Sequence, residues 1–179
     1  YGEPVGDIIA SYSPDLKGIE IQSSEVASII DEIPVLLVVS LFCNSKSKFN
    51  NLTELKFKES DRLETMYKNL KLCGADIIRN KDILIINGLN DNFYSNHVPI
   101  IKDFNKDHRV AMAFFVLSSV SRKKIQINDF NCTNISFPNF LETVNSLKDN
   151  SFRKIIVACD GAVATGKTTI LKKIDKFYR

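Results

Sequence analysis

Two kinds of hydrophobic pattern follow one another along this chain. Short β-rich runs, some of them alternating apolar and polar residues, predict strands at residues 7–12, 18–22, 52–57, 98–101 and 123–128, and a hairpin at residues 77–78 and 83–86. Longer apolar stretches predict helices at residues 35–42, 62–73 and 110–120, with Gly74 ending the second of them. Ser136-Phe137-Pro138 is predicted to open one more helix, with Phe140 and Leu141 among the residues of its inner face. This order of elements predicts an α/β fold in which helices lie on small mixed sheets.

Two charged clusters stand directly before two of these predicted helices. Residues 56–63 (KFKESDRL) contain five charged side chains, and residues 103–109 (DFNKDHR) form the second cluster. The recurrence of this pattern hints at an internally repeated architecture. Acidic residues near a helix start are also favoured by capping and by the helix dipole, so a solvated helix end explains each cluster taken alone. The density of charge equally suits an anionic substrate and a proton transfer.

Composition narrows the class of protein. The 179 residues are 44% hydrophobic and 25% charged, which is typical of an ordinary globular chain of one domain, or one domain plus a fragment. A net charge of +3 with dispersed lysines does not indicate a nucleic-acid partner. The four cysteines are far apart and form no CxxC pair, which favours a reducing cytoplasm over a metal site. No apolar run reaches the roughly twenty residues that cross a bilayer.

The end of the chain has a different character. Residues 154–159 (KIIVAC) resemble a buried strand and lead into GAVATGKTT, which fits the pattern G-x-x-x-x-G-K-[ST] before a helix. Gly161 and Gly166 would let backbone amides surround phosphate oxygens, Lys167 adds a charge, and the Thr168 hydroxyl can hold magnesium. The pattern therefore predicts a truncated P-loop unit at residues 154–179 that uses ATP and magnesium, with a loop of no function as the alternative.

Six short motifs resemble the 5-enolpyruvylshikimate-3-phosphate (EPSP) synthase family, in family order and spacing through about residue 148. They are GEPV at 2–5, LKG at 16–18, DEIP at 31–34, KESDRL at 58–63, DHRVAM at 107–112 and SFP at 136–138. The resemblance implies two α/β domains built from repeated βαβαββ units with the active site between them. Residues 1–148 would be an incomplete C-terminal domain, followed by a linker at 149–153.

The same resemblance implies a transferase of the shikimate pathway, which leads to chorismate and the aromatic amino acids. Such enzymes move the enolpyruvyl group of phosphoenolpyruvate (PEP) to the 5-hydroxyl of shikimate 3-phosphate and release phosphate, without metal or organic cofactor. By resemblance Asp31 is the base or orienting group for the hydroxyl, and Glu59 exchanges the proton at C3. Arg62 and Arg109 would hold PEP, and Lys58 would contact the shikimate phosphate. From the residues alone, Asp31 could instead cap the helix that follows it.

Several expectations limit this assignment. His108 is as compatible with a structural role as with a ligand contact. Some family members carry a lysine just before the SFP motif, whereas residues 132–135 contain none, which marks a subtype. The groups that the family places in its N-terminal domain have no counterpart here. The chain begins with Tyr1 and ends just after a helix-like run, so we expect a piece of a longer polypeptide that needs the missing domain for turnover.

The sequence also allows three other hypotheses about function. The tail at residues 153–179 is similar to the start of bacterial cytidylate kinase, so the parent would be a bacterial synthase–kinase fusion or a read-through of two genes, and the function could be that of the kinase. Within the enolpyruvyl transferase fold, an enzyme acting on UDP-N-acetylglucosamine is the rival, and the pairing of KESDR with DHR favours the shikimate enzyme. A non-catalytic fragment is the third possibility.

Overall fold

The structure is a computed structural model that describes residues 9–90, 93, 96–121, 123–148 and 155–156. The strands are β1 (Ile9–Ala10), β2 (Glu20–Ile21), β3 (Ser47–Phe49), β4 (Ala75–Asn80), β5 (Ile83–Leu89), β6 (Ile100–Ile101), β7 (Gln126–Ile127) and β8 (Ile155–Ile156). The α-helices are α1 (Ser23–Val26), α2 (Ile33–Ser40), α3 (Arg62–Leu72), α4 (His108–Ser121) and α5 (Phe140–Lys148), and two 3₁₀ helices span Thr53–Phe57 and Phe130–Ile135.

Strands β2 to β5 form the main sheet, in the spatial order β2-β3-β5-β4. Strands β2 and β3 are parallel, while β3 and β4 both run antiparallel to β5. With α2 between β2 and β3, and α3 between β3 and β4, the chain follows the order βαβαββ, apart from the short α1. The α/β fold of such units is therefore confirmed.

A second unit begins with the same arrangement. Strands β6 and β7 form a parallel pair joined through α4, and α5 follows β7 as α3 follows β3. Strand β8 then pairs antiparallel with β1, with Ile156 opposite Ile9. The strand and helix order thus repeats, as the sequence hinted, but the two charged clusters hold different places in it. Residues 56–63 precede α3, whereas residues 103–109 precede α4, which corresponds to α2.

The core lies between the main sheet and the helices. Ile21, Phe49, Leu84 and Ile86 are fully buried on one face of the sheet. Helix α2 is apolar around most of its circumference, as its sequence predicts, and it packs against α4. Burial of each large aliphatic side chain contributes about 1.5–3 kcal/mol, so this core is the main source of stability. Among the described residues, no helix has both the length and the apolar character that a bilayer crossing requires.

Helix α3 has the ends that the sequence indicates. The Asp61 carboxylate caps its first turn by accepting a hydrogen bond from the Glu64 amide, at 2.9 Å. Leu63, Met66 and Leu70 recur at helical spacing and are fully buried. Gly74, with φ 92°, follows the last turn in the left-handed region that glycine adopts without strain. The stretch that carries KESDRL is therefore fixed to the core on one side.

Two predicted elements are wrong in part. Residues 52–57, predicted as a strand, contain the 3₁₀ helix Thr53–Phe57, because Leu52 and Leu55 are buried three residues apart while Phe57 is 80% exposed. Helix α5 begins at Phe140 and not at the SFP motif. Leu141, predicted on the inner face of α5, is 43% exposed, and Phe140 alone of that pair is buried.

Candidate functional site

The N-terminal ends of α2, α3 and α4 meet around the side chain of Arg62, which has no exposed surface. Its Nε donates to Asp107 Oδ2 at 2.6 Å, and its Nη1 donates to Asp31 Oδ1 at 2.8 Å. Its Nη2 donates to the Glu59 carboxylate. One planar guanidinium thus connects three carboxylates that are far apart in sequence, an arrangement suited to the fixed fork of donors in arginine.

Asp107 opens the DHRVAM motif, but no role was predicted for it. Its side chain is fully buried, and Oδ2 also accepts a hydrogen bond from Ser60 Oγ at 3.0 Å. Its Oδ1 accepts from the backbone amide of Arg109 at 3.1 Å, which caps α4. An aspartate directly before an apolar helix is a capping signal, and this signal could have identified Asp107. The residue therefore ties the start of α3 to the start of α4.

Asp31 lies just before α2 and contacts three cations. Besides Arg62, Lys58 Nζ and Arg109 Nη2 each lie 3.4 Å from its carboxylate. Burial raises the pKa of Asp31, but the hydrogen bond from Arg62 and the charges of Arg109 and Lys58 outweigh this and lower its pKa below the ordinary value. Asp31 is not the helix cap, because Glu32 occupies the N-cap position of α2. The carboxylate that the family resemblance marks as a base is thus available to the site as an anion.

Arg109 spans the gap between α4 and α2. Its Nη1 donates to the main-chain oxygen of Asp31 at 3.2 Å and lies 3.7 Å from Glu32 Oε1. Glu32 was not predicted as a site residue. Partial burial raises the pKa of Glu32, the charge of Arg109 opposes this rise without reversing it, and the charge of Asp31 adds to it.

The remaining predicted residues lie at the edge of the cluster. The side chain of Glu59 is 51% exposed and that of Lys58 is 30% exposed, so both can face a ligand. His108 is the first residue of α4, beside Arg109, and is partly exposed. Its two alternative roles both stay predictions. The four P-loop residues Gly161, Gly166, Lys167 and Thr168 lie outside the described part of the chain.

The cluster joins five of the six site residues that the sequence predicted within residues 1–148, and His108 lies beside it without being one of its members. Its four carboxylates are Asp31, Glu32, Glu59 and Asp107, and its three cations are Lys58, Arg62 and Arg109. Within the described ranges, no group of His, Cys, Asp and Glu side chains is arranged to hold a metal ion. In such a cluster the carboxylates can exchange protons, while the basic side chains beside them bind anionic groups.

The fold is thus an α/β architecture of repeated units with a cluster of carboxylates and basic side chains at its helix N-termini. The family model described as EPSP synthase (3-phosphoshikimate 1-carboxyvinyltransferase) matches residues 2–144. The chain belongs to the EPSP synthase family, which confirms the resemblance stated from the six motifs.

Similar proteins give the extent of the match. The 3-phosphoshikimate 1-carboxyvinyltransferase of Helicobacter pylori (strain HPAG1) is 39% identical over 156 residues, covering 84% of this chain and 35% of the relative. That of Persephonella marina is 38% identical over 148 residues, covering 83% and 33%. A solved structure of EPSP synthase from Acinetobacter baumannii superposes with a TM-score of 0.62 at 28% identity, covering 82% of this chain and 32% of that one. The chain spans about a third of the length of the curated relatives it matches.

Proposed function

We propose that this cluster is one side of the catalytic cleft of a cytoplasmic EPSP synthase, which transfers the enolpyruvyl group of PEP to the 5-hydroxyl of shikimate 3-phosphate. The observation that carries the proposal is the buried Arg62 guanidinium. It brings Asp31 and Glu59, the two predicted proton-transfer groups, to one point, and Asp31 in turn contacts Arg109 and Lys58.

The reaction requires two proton transfers that two carboxylates can perform. The 5-hydroxyl loses a proton as its oxygen attacks C2 of PEP, and C3 gains a proton to become a methyl group. In the second step C3 loses a proton as the C–O bond to phosphate breaks, which restores the double bond and releases phosphate. We assign the hydroxyl proton to Asp31 and the C3 proton to Glu59, whose exposed carboxylate can reach a ligand.

The basic side chains would bind the anionic groups of the substrates. Arg109 and Lys58 keep about a third of their side-chain surface exposed, whereas Arg62 keeps none. We therefore assign the first contacts with PEP carboxylate and with phosphate to Arg109 and Lys58. Arg62, predicted from the resemblance to hold PEP, would reach a ligand only after the Glu59 or Asp31 side chain moves away from its guanidinium.

We propose that an N-terminal domain supplies the rest of the cleft. The matched relatives are about three times as long as the matched segment. The described cluster also has one more carboxylate than it has cations, so two multiply charged substrates need further positive groups from elsewhere.

A chimera tests this function. The matched segment of the Persephonella marina synthase is replaced by the corresponding residues of this chain, and phosphate release from PEP plus shikimate 3-phosphate is measured. We expect turnover that requires both substrates and falls about 100-fold or more in Asp31→Asn and in Glu59→Gln, the usual range for losing an acid–base group. Glu142→Gln, on the exposed side of α5, is the matched control. A folded chimera without turnover would contradict the proposal.

The second candidate function rests on the P-loop pattern alone. Gly161, Gly166, Lys167 and Thr168 stand at the spacing of a phosphate-binding loop, as at the start of a bacterial cytidylate kinase fused to the synthase. This part of the chain would bind ATP with magnesium. Protection of Lys167 against acylation by ATP and magnesium, but not by shikimate 3-phosphate with PEP, is the expected result. Equal labelling of Lys167 with and without nucleotide would contradict the kinase assignment.

A further inference from the structure

The guanidinium of Arg109 is held by two consecutive residues of another helix start. Asp31 provides its main-chain oxygen, 3.2 Å from Nη1, and its carboxylate, 3.4 Å from Nη2. Glu32 adds a second carboxylate, with Oε1 3.7 Å from Nη1. These contacts cross from α4 to α2 over 78 residues of sequence, so they set where the Arg109 side chain points relative to the rest of the cluster.

Glu32 occupies a position where a carboxylate ordinarily performs a different task. It is the N-cap residue of α2, and an N-cap side chain commonly accepts from the amide of the second or third helical residue. The second residue here is Pro34, which has no N–H, and the Glu32 side chain makes no capping bond. Its carboxylate lies toward Arg109 instead.

Of the two arginines in the cluster, Arg109 is the one that a ligand can reach, so the orientation of its guanidinium affects binding. Its side chain is 34% exposed, whereas the Arg62 side chain is fully buried. Within the described part of the chain, the contacts of the Arg109 guanidinium with Asp31 and Glu32 involve Nη1 and Nη2 and none involves Nε, so the Nε–H can donate to an anion together with an N–H of Nη2.

We propose that Glu32 is a positioning residue, which fixes the Arg109 guanidinium between α2 and α4 so that its remaining N–H groups meet the carboxylate or phosphate of PEP. This inference rests on the proposed transferase function for the identity of the anion, but the contact between Glu32 and Arg109 stands apart from it.

Positioning and plain electrostatics predict opposite effects, which makes the proposal testable. Replacing Glu32 by glutamine removes a negative charge from the cluster, and this alone would strengthen the binding of any anion. Loss of the contact that orients Arg109 would weaken binding. A weaker affinity in Glu32→Gln therefore requires a positioning role.

The first experiment uses this chain and needs no activity. Exchange of the arginine guanidinium N–H groups with water is followed by ¹⁵N NMR. We expect exchange at Arg109 to become about two- to fivefold faster in Glu32→Gln, since an ion pair of this exposure is worth up to about 1 kcal/mol. Arg62 should be unaffected, Glu32→Asp should keep part of the protection, and Glu142→Gln should change nothing. Unchanged exchange at Arg109 would overturn the inference.

The second experiment measures the KM of the chimera for PEP. We expect the KM for PEP to rise several-fold in Glu32→Gln with a smaller change in kcat, and Glu32→Asp to recover part of the loss. A lower KM in Glu32→Gln would overturn the positioning role. If the chimera with Glu32 intact does not turn over, the proposed function fails, while the exchange measurement on this chain still decides the role of Glu32.

Discussion

Arg62 is a fully buried cation with three carboxylate partners. Its guanidinium is removed from water, and an isolated buried charge costs several kcal/mol unless paired and hydrogen-bonded. Burial lowers the pKa of Arg62, but the hydrogen bonds and charges of Asp107, Asp31 and Glu59 outweigh this and raise its pKa above the ordinary value. The arginine therefore stays charged, and the three carboxylates stay close to it.

Asp107→Asn tests the buried ion pair between Asp107 and Arg62. The amide keeps the shape but removes the charge that balances Arg62, so we expect the free energy of unfolding to fall by about 3–5 kcal/mol, the usual cost of breaking a buried ion pair. Urea denaturation measures the change, with the exposed Asp15→Asn as the control. A loss below about 1 kcal/mol would place the charge balance of Arg62 elsewhere.

Asp31 gives a pH prediction. Because its pKa is lower in the folded chain than in the unfolded chain, its carboxylate stabilises the fold above the ordinary aspartate pKa of about 3.9. That contribution is lost as the pH falls through the lower, folded-state pKa. We expect Asp31→Asn to be less stable than the native chain at pH 7, and the difference to shrink below about pH 3.9. A difference that stays constant down to pH 3 would contradict the role of its three cations.

The motifs made some site residues predictable and not others. Asp31, Lys58, Glu59 and Arg109 were predicted from the resemblance, and they do lie together. The burial of Arg62 was not predictable, because it depends on Asp107, 45 residues away, whose position is set by the packing of helices. Local patterns report spacing within an element, and these contacts join different elements.

Among the helices and strands, too, some were predictable from the local sequence and others were not. The spacing of apolar residues predicted α3 and the hairpin of β4 and β5, because both are held by local periodicity and a glycine or a charged turn. It failed at β3, where the polar Ser47-Lys48-Phe49 is a strand through its neighbours. The Ser47 hydroxyl accepts a hydrogen bond from the Ile19 amide at 3.2 Å, and β3 pairs with β2 and β5. Tertiary pairing overrides propensity in so short a strand.

The backbone of Gly18, just before β2, passes very close to the loop before β3. A Cβ at this position would lie 2.2 Å from the Lys46 carbonyl oxygen and 2.4 Å from that of Ser45. We expect Gly18→Ala to lower the free energy of unfolding by about 1–3 kcal/mol, as overpacking does.

Gly88→Ala provides the comparison for that substitution. Gly88 has φ 113°, and among the described residues an added Cβ would contact the Leu41 carbonyl oxygen alone, at the ordinary distance of 3.5 Å. Any loss of stability in Gly88→Ala would therefore come from backbone strain and not from a clash. Thermal or urea unfolding of the two variants separates the causes. A Gly18→Ala variant as stable as the native chain would show that the loop moves away freely.

At the scale of the whole molecule, repetition explains where the site lies. Each unit sends a helix from the end of a short strand, and the starts of α2, α3 and α4 face one another. Helix N-termini carry partial positive charge, which favours the carboxylates found there and any anionic ligand that replaces them. The described segment nonetheless corresponds to about a third of the curated relatives.

Because the chain matches about a third of the length of its relatives, we also predict its activity when it is purified alone. We expect no phosphate release from PEP plus shikimate 3-phosphate with the purified chain, because the cluster holds more carboxylates than cations and the substrates are anions. A coupled phosphate assay with the chimera as positive control measures this. Turnover by the purified chain, abolished in Glu59→Gln, would contradict the need for a further domain.

Glu59, which Arg62 holds beside Asp31, is the group that we propose exchanges the C3 proton. The most direct test is the incorporation of solvent deuterium at C3 when the chimera acts on PEP and shikimate 3-phosphate in D₂O. We predict deuterium in the vinyl group with the native residues and a loss of about 100-fold or more in its rate in Glu59→Gln, with Glu142→Gln unchanged. Deuterium incorporation at the native rate in Glu59→Gln would contradict the account, because C3 would then exchange its proton with a different group.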